Sequence, residues 1–127
     1  MAFTLGPSSI QKLTGVKQPL VDVVMRAIGY SVIPFNVDEG LRTAEQEAAF
    51  VAAGKSQTMN SRHLTGDAVD LVAVIGGRAV WDEKYYNMID NAMLKASMEL
   101  NIPLVWGGSW MKFKDLDHWE LNRAFYP

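Results

Sequence analysis

The 127-residue sequence contains no cysteine and only two histidines, His63 and His118. Without cysteine the chain can form no disulfide bond, no thiolate metal site and no cysteine nucleophile. Any metal site must therefore be built from histidine, aspartate or glutamate. Both histidines become candidates for that role.

Long apolar runs and an excess of one charge are also missing. No apolar stretch approaches the roughly 20 residues that cross a bilayer, so no transmembrane helix is predicted. The formal net charge is −2, which argues against a nucleic-acid partner because phosphate binding needs a concentrated basic face. Residues 1–6 lack the basic flank and apolar stretch of a secretory signal. We therefore expect that a protein acting outside the cytoplasm would need another factor for its release.

What remains is the composition of an ordinary globular protein, with 49% hydrophobic and 20% charged residues. This favours one domain over residues 1–127 with a hydrophobic core. The order of predicted elements indicates an α+β fold with a small, mostly antiparallel sheet. The predicted elements are a short helix capped by Ser8 or Ser9, a helix starting at Pro19, an extended segment 31–39, a helix from the capping box of Thr43 and Gln46 to Ala53, a loop 55–67, a strand 68–75, a hairpin at Gly76 and Gly77, a helix from Asp82 to Asn101, and strands 104–106 and 118–121.

Asp70 is the only charge in the apolar run 68–75. A buried carboxylate is costly, so it needs a cation, hydrogen-bond donors or a raised pKa. Hydrogen bonds to neighbouring backbone would be the plain structural explanation. His63 lies seven residues earlier, and Gly66 allows a sharp turn that could bring the imidazole to the carboxylate. A loop histidine taken alone is more often a surface residue.

With His118, these residues supply two nitrogens and one oxygen. Three protein ligands with a fourth position left for water are typical of catalytic zinc sites. Zinc in such a site lowers the pKa of water and polarises a carbonyl group. The ligand types alone leave other divalent metals open.

The spacing of these residues carries a family resemblance. The pattern Ser61-x-His63-x-x-Gly66-x-Ala68-x-Asp70, followed by Asp115-x-x-His118, resembles the zinc peptidases related to D-alanyl-D-alanine carboxypeptidases. It resembles more closely the phage endolysins that cleave the L-alanyl-D-glutamate bond. The similarity extends over nearly the whole chain and includes the segments 39–43, 54–58 and 106–110.

The resemblance implies roles for individual residues. His63, Asp70 and His118 would be the zinc ligands, and Asp115 the general acid/base. The related carboxypeptidases carry glutamate at that position, so Asp115 points toward the endolysin branch. Asp117 is a second acid beside His118, but in a strand adjacent side chains face opposite sides. We therefore expect Asp117 to point away from the site.

Further residues are candidates for substrate contact. Arg42 matches an arginine that faces the substrate, and a fixed guanidinium can stabilise an oxyanion or bind a carboxylate. The alternative is an exposed arginine. Ser61 and Trp110 are candidate substrate-binding residues, although a plain loop serine and core packing are the alternatives. Core packing is favoured for Trp119. Glu120 could orient a metal ligand or be an exposed strand acid.

By this resemblance the protein is expected to be a monomeric, zinc-dependent peptidoglycan endopeptidase of phage origin. Its partner would be the peptidoglycan stem peptide in the cell wall, with no nucleic acid and no membrane insertion. One alternative is a D-alanyl-D-alanine carboxypeptidase on the same scaffold. Another is a catalytically silent, zinc-containing wall-binding module, which would have no need of Asp115 or Arg42. Composition does not choose the bond that is cut.

Overall fold

The computed structural model describes residues 2–56, 59, 61–112 and 114–127. In these ranges the chain forms four α-helices and five strands, together with short 3-10 helices at Arg62–Thr65 and Gly107–Ser109. The helices are α1 (Pro7–Lys12), α2 (Gln18–Tyr30), α3 (Ala44–Ala52) and α4 (Glu83–Leu100), and the strands are β1 (Phe35–Glu39), β2 (Ala68–Ile75), β3 (Arg78–Val80), β4 (Leu104–Trp106) and β5 (His118–Leu121). The predicted α+β class is confirmed.

The sheet is built around β2. Its strand order is β1-β2-β5-β4, with β3 paired to β2 as well, and every pairing is antiparallel. The predicted hairpin is confirmed, because Gly76 and Gly77 both adopt positive φ angles, as a tight two-residue turn between strands requires. The register places Asp70 between Glu39 on β1 and His118 on β5. Two of the candidate ligands therefore meet on adjacent strands.

The hydrophobic core fixes this sheet. Helices α2 and α4 pack against each other, and α4 also contacts β2. The apolar positions predicted for α2 at helical spacing are all buried: Leu20, Val23, Val24, Ala27 and Ile28. Burying the leucine, valine and isoleucine side chains contributes about 1.5–3 kcal/mol each relative to an exposed position. No helix in the described part of the chain is long and apolar enough to cross a membrane.

Some local predictions need correction. Neither Ser8 nor Ser9 caps α1, whose N-cap is Gly6 without a side-chain hydrogen bond. Ser9 lies inside the helix, where its hydroxyl oxygen accepts a hydrogen bond from the Val37 backbone N–H at 2.9 Å. The predicted loop 55–67 contains the 3-10 helix Arg62–Thr65.

The start of α3 agrees with the sequence. Thr43 and Gln46 form a reciprocal capping box in which each side chain accepts a hydrogen bond from the other residue's backbone N–H. Such caps contribute on the order of 1 kcal/mol. This cap fixes where α3 begins, immediately after Arg42.

Candidate metal centre and active site

Three separate elements bring the candidate ligands together. His63 lies on the 3-10 helix, where the Ser61 hydroxyl oxygen accepts a hydrogen bond from the His63 backbone N–H at 3.2 Å. Gly66 ends this helix at φ +76, and a Cβ there would lie 2.5 Å from the Gly15 carbonyl oxygen. Only glycine combines that conformation with that close approach. The turn then leads directly into β2 and Asp70.

The ligand atoms are arranged around the Asp70 carboxylate. Its Oδ1 lies 3.3 Å from His63 Nε2 and 3.3 Å from His118 Nδ1. One such atom from each of the three residues lies within 4.8 Å of the others. Bond lengths of 2.0–2.1 Å around zinc give a tetrahedron edge of about 3.3 Å. The predicted trio is therefore assembled, and the group could bind a metal ion.

The other nitrogen of each imidazole has a partner that sets the tautomer. His63 Nδ1 lies 2.8 Å from the Gly40 carbonyl oxygen, and His118 Nε2 lies 2.9 Å from Glu120 Oε1. Both partners accept hydrogen bonds, so these nitrogens carry the protons. In the neutral rings the lone pairs of His63 Nε2 and His118 Nδ1 then face Asp70. Ligand histidines in metal sites characteristically have such partners. Glu120 is buried and contacts His118, so it is not the exposed strand acid of the alternative interpretation.

Contacts between the side chains at this centre stabilise the ionised forms of Asp70 and His118 despite their burial. Burial opposes ionisation of Asp70, but its contacts with His118 and His63 outweigh burial and hold its pKa well below the usual range. Burial likewise disfavours the charged form of His118, yet Asp70 and Glu120 raise its pKa to about 9. Without metal, His118 therefore holds a second proton at neutral pH.

Because His118 holds this second proton, we expect its metal affinity to depend on pH. A metal ion must displace it from His118 Nδ1, whose pKa of about 9 lies above neutral pH. The apparent zinc affinity should therefore fall about tenfold per pH unit as the pH drops below 9. Calorimetry in two buffers of different ionisation enthalpy should find about one proton released per zinc at pH 7. Binding without proton release would contradict the prediction.

Two acids stand beside the ligands. Asp115 precedes β5, with its backbone N–H donating to the Gly107 carbonyl at 3.0 Å. A Cβ at Gly107 would lie 2.4 Å from the Asp115 carbonyl oxygen, so the glycine permits this close packing. Asp115 lines the same cleft as the three ligands. As predicted, it lies outside the regular strand.

The expectation that Asp117 points away is wrong. Strand β5 begins only at His118, so Asp117 lies in the preceding turn, where strand alternation does not apply. Asp117 also lines the cleft. Burial raises its pKa to about 8, assisted by a hydrogen bond with Asp115 and by the charge of Asp70. The cleft therefore contains two carboxyl groups that are hydrogen-bonded to each other.

Arg42 is buried, unlike the exposed arginine of the alternative interpretation. It donates through Nη1 to Glu47 Oε1 at 2.5 Å, and its guanidinium carbon lies 4.3 Å from the centre of the Phe50 ring. Its Nη2 approaches Asp70 Oδ2 at 3.8 Å. Burial would raise the pKa of Glu47, but hydrogen bonds from Ser56 and Arg42 lower it. Glu47 therefore holds the guanidinium beside the metal centre.

This pairing predicts a loss of stability. Arg42→Ala leaves the Glu47 carboxylate, which is fully buried, without its cation. Breaking a buried pair from one side typically costs about 3–5 kcal/mol. Arg26→Ala, which removes an exposed pair with Glu99, should change the unfolding free energy little. Denaturant unfolding of the two variants checks this, and equal midpoints would contradict it.

The centre opens into a cleft of about 700 Å³ that contains the predicted substrate-contact residues Ser61 and Trp110. The Trp110 ring lies 5.3 Å from the His118 ring. Trp119 is fully buried and stacks on Trp106 at 5.8 Å, so the core interpretation of Trp119 is confirmed. Of the segment 54–58 in the family pattern, Gln57 and Thr58 lie outside the described residues.

For the other cleft residues the sequence predicted no individual role. They are Asp38, Glu39, Phe50, Lys55, Ser56, Arg62, Trp81 and Lys112, together with Arg123. The pairing acid Glu47 was missed as well, although its place in the first turn of α3, five residues after Arg42, was a usable signal. For the cations and Trp81, local sequence offers no such signal.

Comparisons with known proteins match this chain to L-alanyl-D-glutamate peptidases. A family model described as phage L-alanyl-D-glutamate peptidase matches residues 1–127. An L-alanyl-D-glutamate peptidase of Escherichia phage T5 is 34% identical over 99% of this chain and 94% of its own length. One of Listeria phage A118 is 38% identical over 69% of this chain and 30% of its own length. The crystal structure of a Serratia marcescens L-Ala D-Glu endopeptidase superposes with a TM-score of 0.91 at 43% identity, covering 100% of this chain and 94% of that one.

Proposed function

Because the chain belongs to the phage L-alanyl-D-glutamate peptidase family, we propose that it is a zinc-dependent endopeptidase that hydrolyses this bond in peptidoglycan stem peptides. One observation carries the zinc assignment. His63, Asp70 and His118 converge with both imidazole tautomers set by Gly40 and Glu120. This set of ligands has two nitrogens, one oxygen and no cysteine sulfur, which suits catalytic zinc.

The protein's own groups divide the work of hydrolysis. A bound zinc ion would polarise the scissile carbonyl and acidify the attacking water. Asp115 accepts a proton from that water and returns it to the leaving amine of D-glutamate. Asp117, whose pKa of about 8 keeps it protonated at neutral pH, donates a hydrogen bond to Asp115. This bond fixes the position of the Asp115 side chain that acts as the base.

Arg42, Ser61 and Trp110 complete the proposed site. Arg42 is fixed by Glu47 and directs Nη2 toward the metal centre. A guanidinium in that position can stabilise the oxyanion or bind the free α-carboxylate of the D-glutamate residue. Trp110 and Ser61 both line the cleft, where they would contact the stem peptide. We further propose that the monomer acts on the cell wall after another factor releases it.

The rival activity on the same scaffold is D-alanyl-D-alanine carboxypeptidase. Digestion of purified peptidoglycan, followed by mass spectrometry of the products, separates the two. We expect peptides that begin with D-glutamate, with L-alanine left on muramic acid and free D-alanine at background. Release of D-alanine alone would favour the carboxypeptidase activity over the endopeptidase activity. Binding without any cleavage would favour a silent wall-binding module.

A further inference from the structure

An exposed tryptophan stands at one end of the cleft without a role in the proposed chemistry. Trp81 is 57% exposed and lines the cleft. One face of its ring stacks on Tyr86, with centroids 5.8 Å apart and planes 10° apart. An exposed tryptophan that lines a cleft offers a large apolar face that a ligand can cover. Trp81 therefore has the character of a binding surface.

Tyr86 makes this surface rigid. Its ring is fully buried. Its hydroxyl donates to the Val80 carbonyl at 2.8 Å and lies 3.3 Å from the Ala73 backbone nitrogen, which donates to it. The supporting ring is therefore anchored on both sides of the β2–β3 hairpin. A flat platform held in advance loses little conformational freedom when a ligand covers it.

The sheet register places this platform near the metal centre. Val80 pairs with Ala73, and His118 pairs with Asp70. Strands β3 and β5 thus follow each other along one edge of β2, three residues or about 10 Å apart. Trp81 directly follows Val80, so it enters the gap between the two strands. A substrate group that a short linker joins to the scissile bond can therefore reach Trp81.

Charge orients the substrate along the cleft. Beyond the metal centre in the other direction, Glu120 pairs with Ala68, and Arg123 lies 3.6 Å from Glu120 with its own side chain 66% exposed. Asp117 lies in the turn leading into β5 at His118, on the side where β3 ends. The leaving portion of the stem peptide starts with D-glutamate and is rich in carboxylates. Attraction to the exposed Arg123 draws that portion toward the end of the cleft opposite Trp81.

The uncharged portion then points toward Trp81. L-alanine is joined through a lactyl group to muramic acid, so about two residue lengths, or about 7 Å, separate the scissile carbonyl from the sugar ring. We propose that Trp81 is a platform for the muramoyl sugar, whose apolar C–H face stacks on the indole ring. The enzyme then selects stem peptides attached to glycan over free peptides. This inference rests on the proposed function.

Two substrates with the same tetrapeptide test the inference, one attached to the disaccharide of the glycan and the other free. We expect the wild-type enzyme to have a higher kcat/KM for the sugar-linked substrate. Trp81→Ala should reduce that preference about tenfold, mainly through KM, as expected for the loss of one stacking contact. Trp81→Phe should retain most of the preference. Phe125→Ala, which removes another exposed aromatic ring, should leave the preference unchanged.

The ratio of the two substrates within one variant is insensitive to partial loss of fold or zinc. Trp81→Leu, which keeps an apolar contact with Tyr86 but removes the flat ring, should lose the preference as Trp81→Ala does. Equal losses on both substrates in these variants, or no preference in the wild-type enzyme, would overturn the platform. If the wild-type enzyme cleaved neither substrate, the proposed function would fall and the inference with it.

Discussion

Replacing both histidines, His63→Ala with His118→Ala, should abolish zinc binding and peptidoglycan hydrolysis together. The two imidazoles supply both nitrogens of the proposed site, and the sequence contains no other histidine. Loss of a partner that only orients a ligand typically costs 10–100-fold in metal affinity or activity. Loss of two ligands should therefore exceed about 100-fold and leave no measurable turnover.

Glu120→Gln is the matched comparison, since Glu120 touches His118 Nε2 and no other ligand. Glutamine can still accept that hydrogen bond but lacks the charge, so the loss should stay at or below about 10–100-fold. Elemental analysis and peptidoglycan digestion measure both quantities. Full zinc content and wild-type turnover in the double-histidine variant would contradict the proposed zinc site.

Asp115→Asn should keep the fold and the zinc but lose about 10²–10⁴-fold in turnover, the usual contribution of a general acid/base. Asparagine fills the same space but cannot take a proton. Asp117→Asn should be mild, because the protonated Asp117 acts only as a hydrogen-bond donor and asparagine preserves a donor. Steady-state rates at equal zinc content compare the two variants. Exchanged phenotypes would make Asp117 the base.

The grouping of His63, Asp70 and His118 was predictable from the sequence because most of its signals are local. Asp70 is an isolated charge in an apolar strand, and Gly66 marks the turn that separates it from His63. The spacing of His118 to Asp115 then carried the family resemblance. Strong helix-start signals, such as the capping box at Thr43, likewise predicted element boundaries that the structure shows.

Other features depended on information that local pattern lacks. The side that Asp117 faces could not be predicted from strand alternation, because Asp117 lies in the turn before β5 and outside the strand predicted over 118–121. Trp81 joins the cleft only because β3 and β5 share one edge of β2, which is a property of the topology.

Diffraction from crystals grown with zinc, measured across the zinc absorption edge, tests the central claim most directly. We predict one anomalous peak bonded to His63 Nε2, His118 Nδ1 and an Asp70 carboxylate oxygen, at about 2.0–2.1 Å from each nitrogen. The peak should be missing from the double-histidine variant. An active, zinc-loaded protein whose anomalous peak lies away from these three residues would contradict the assignment.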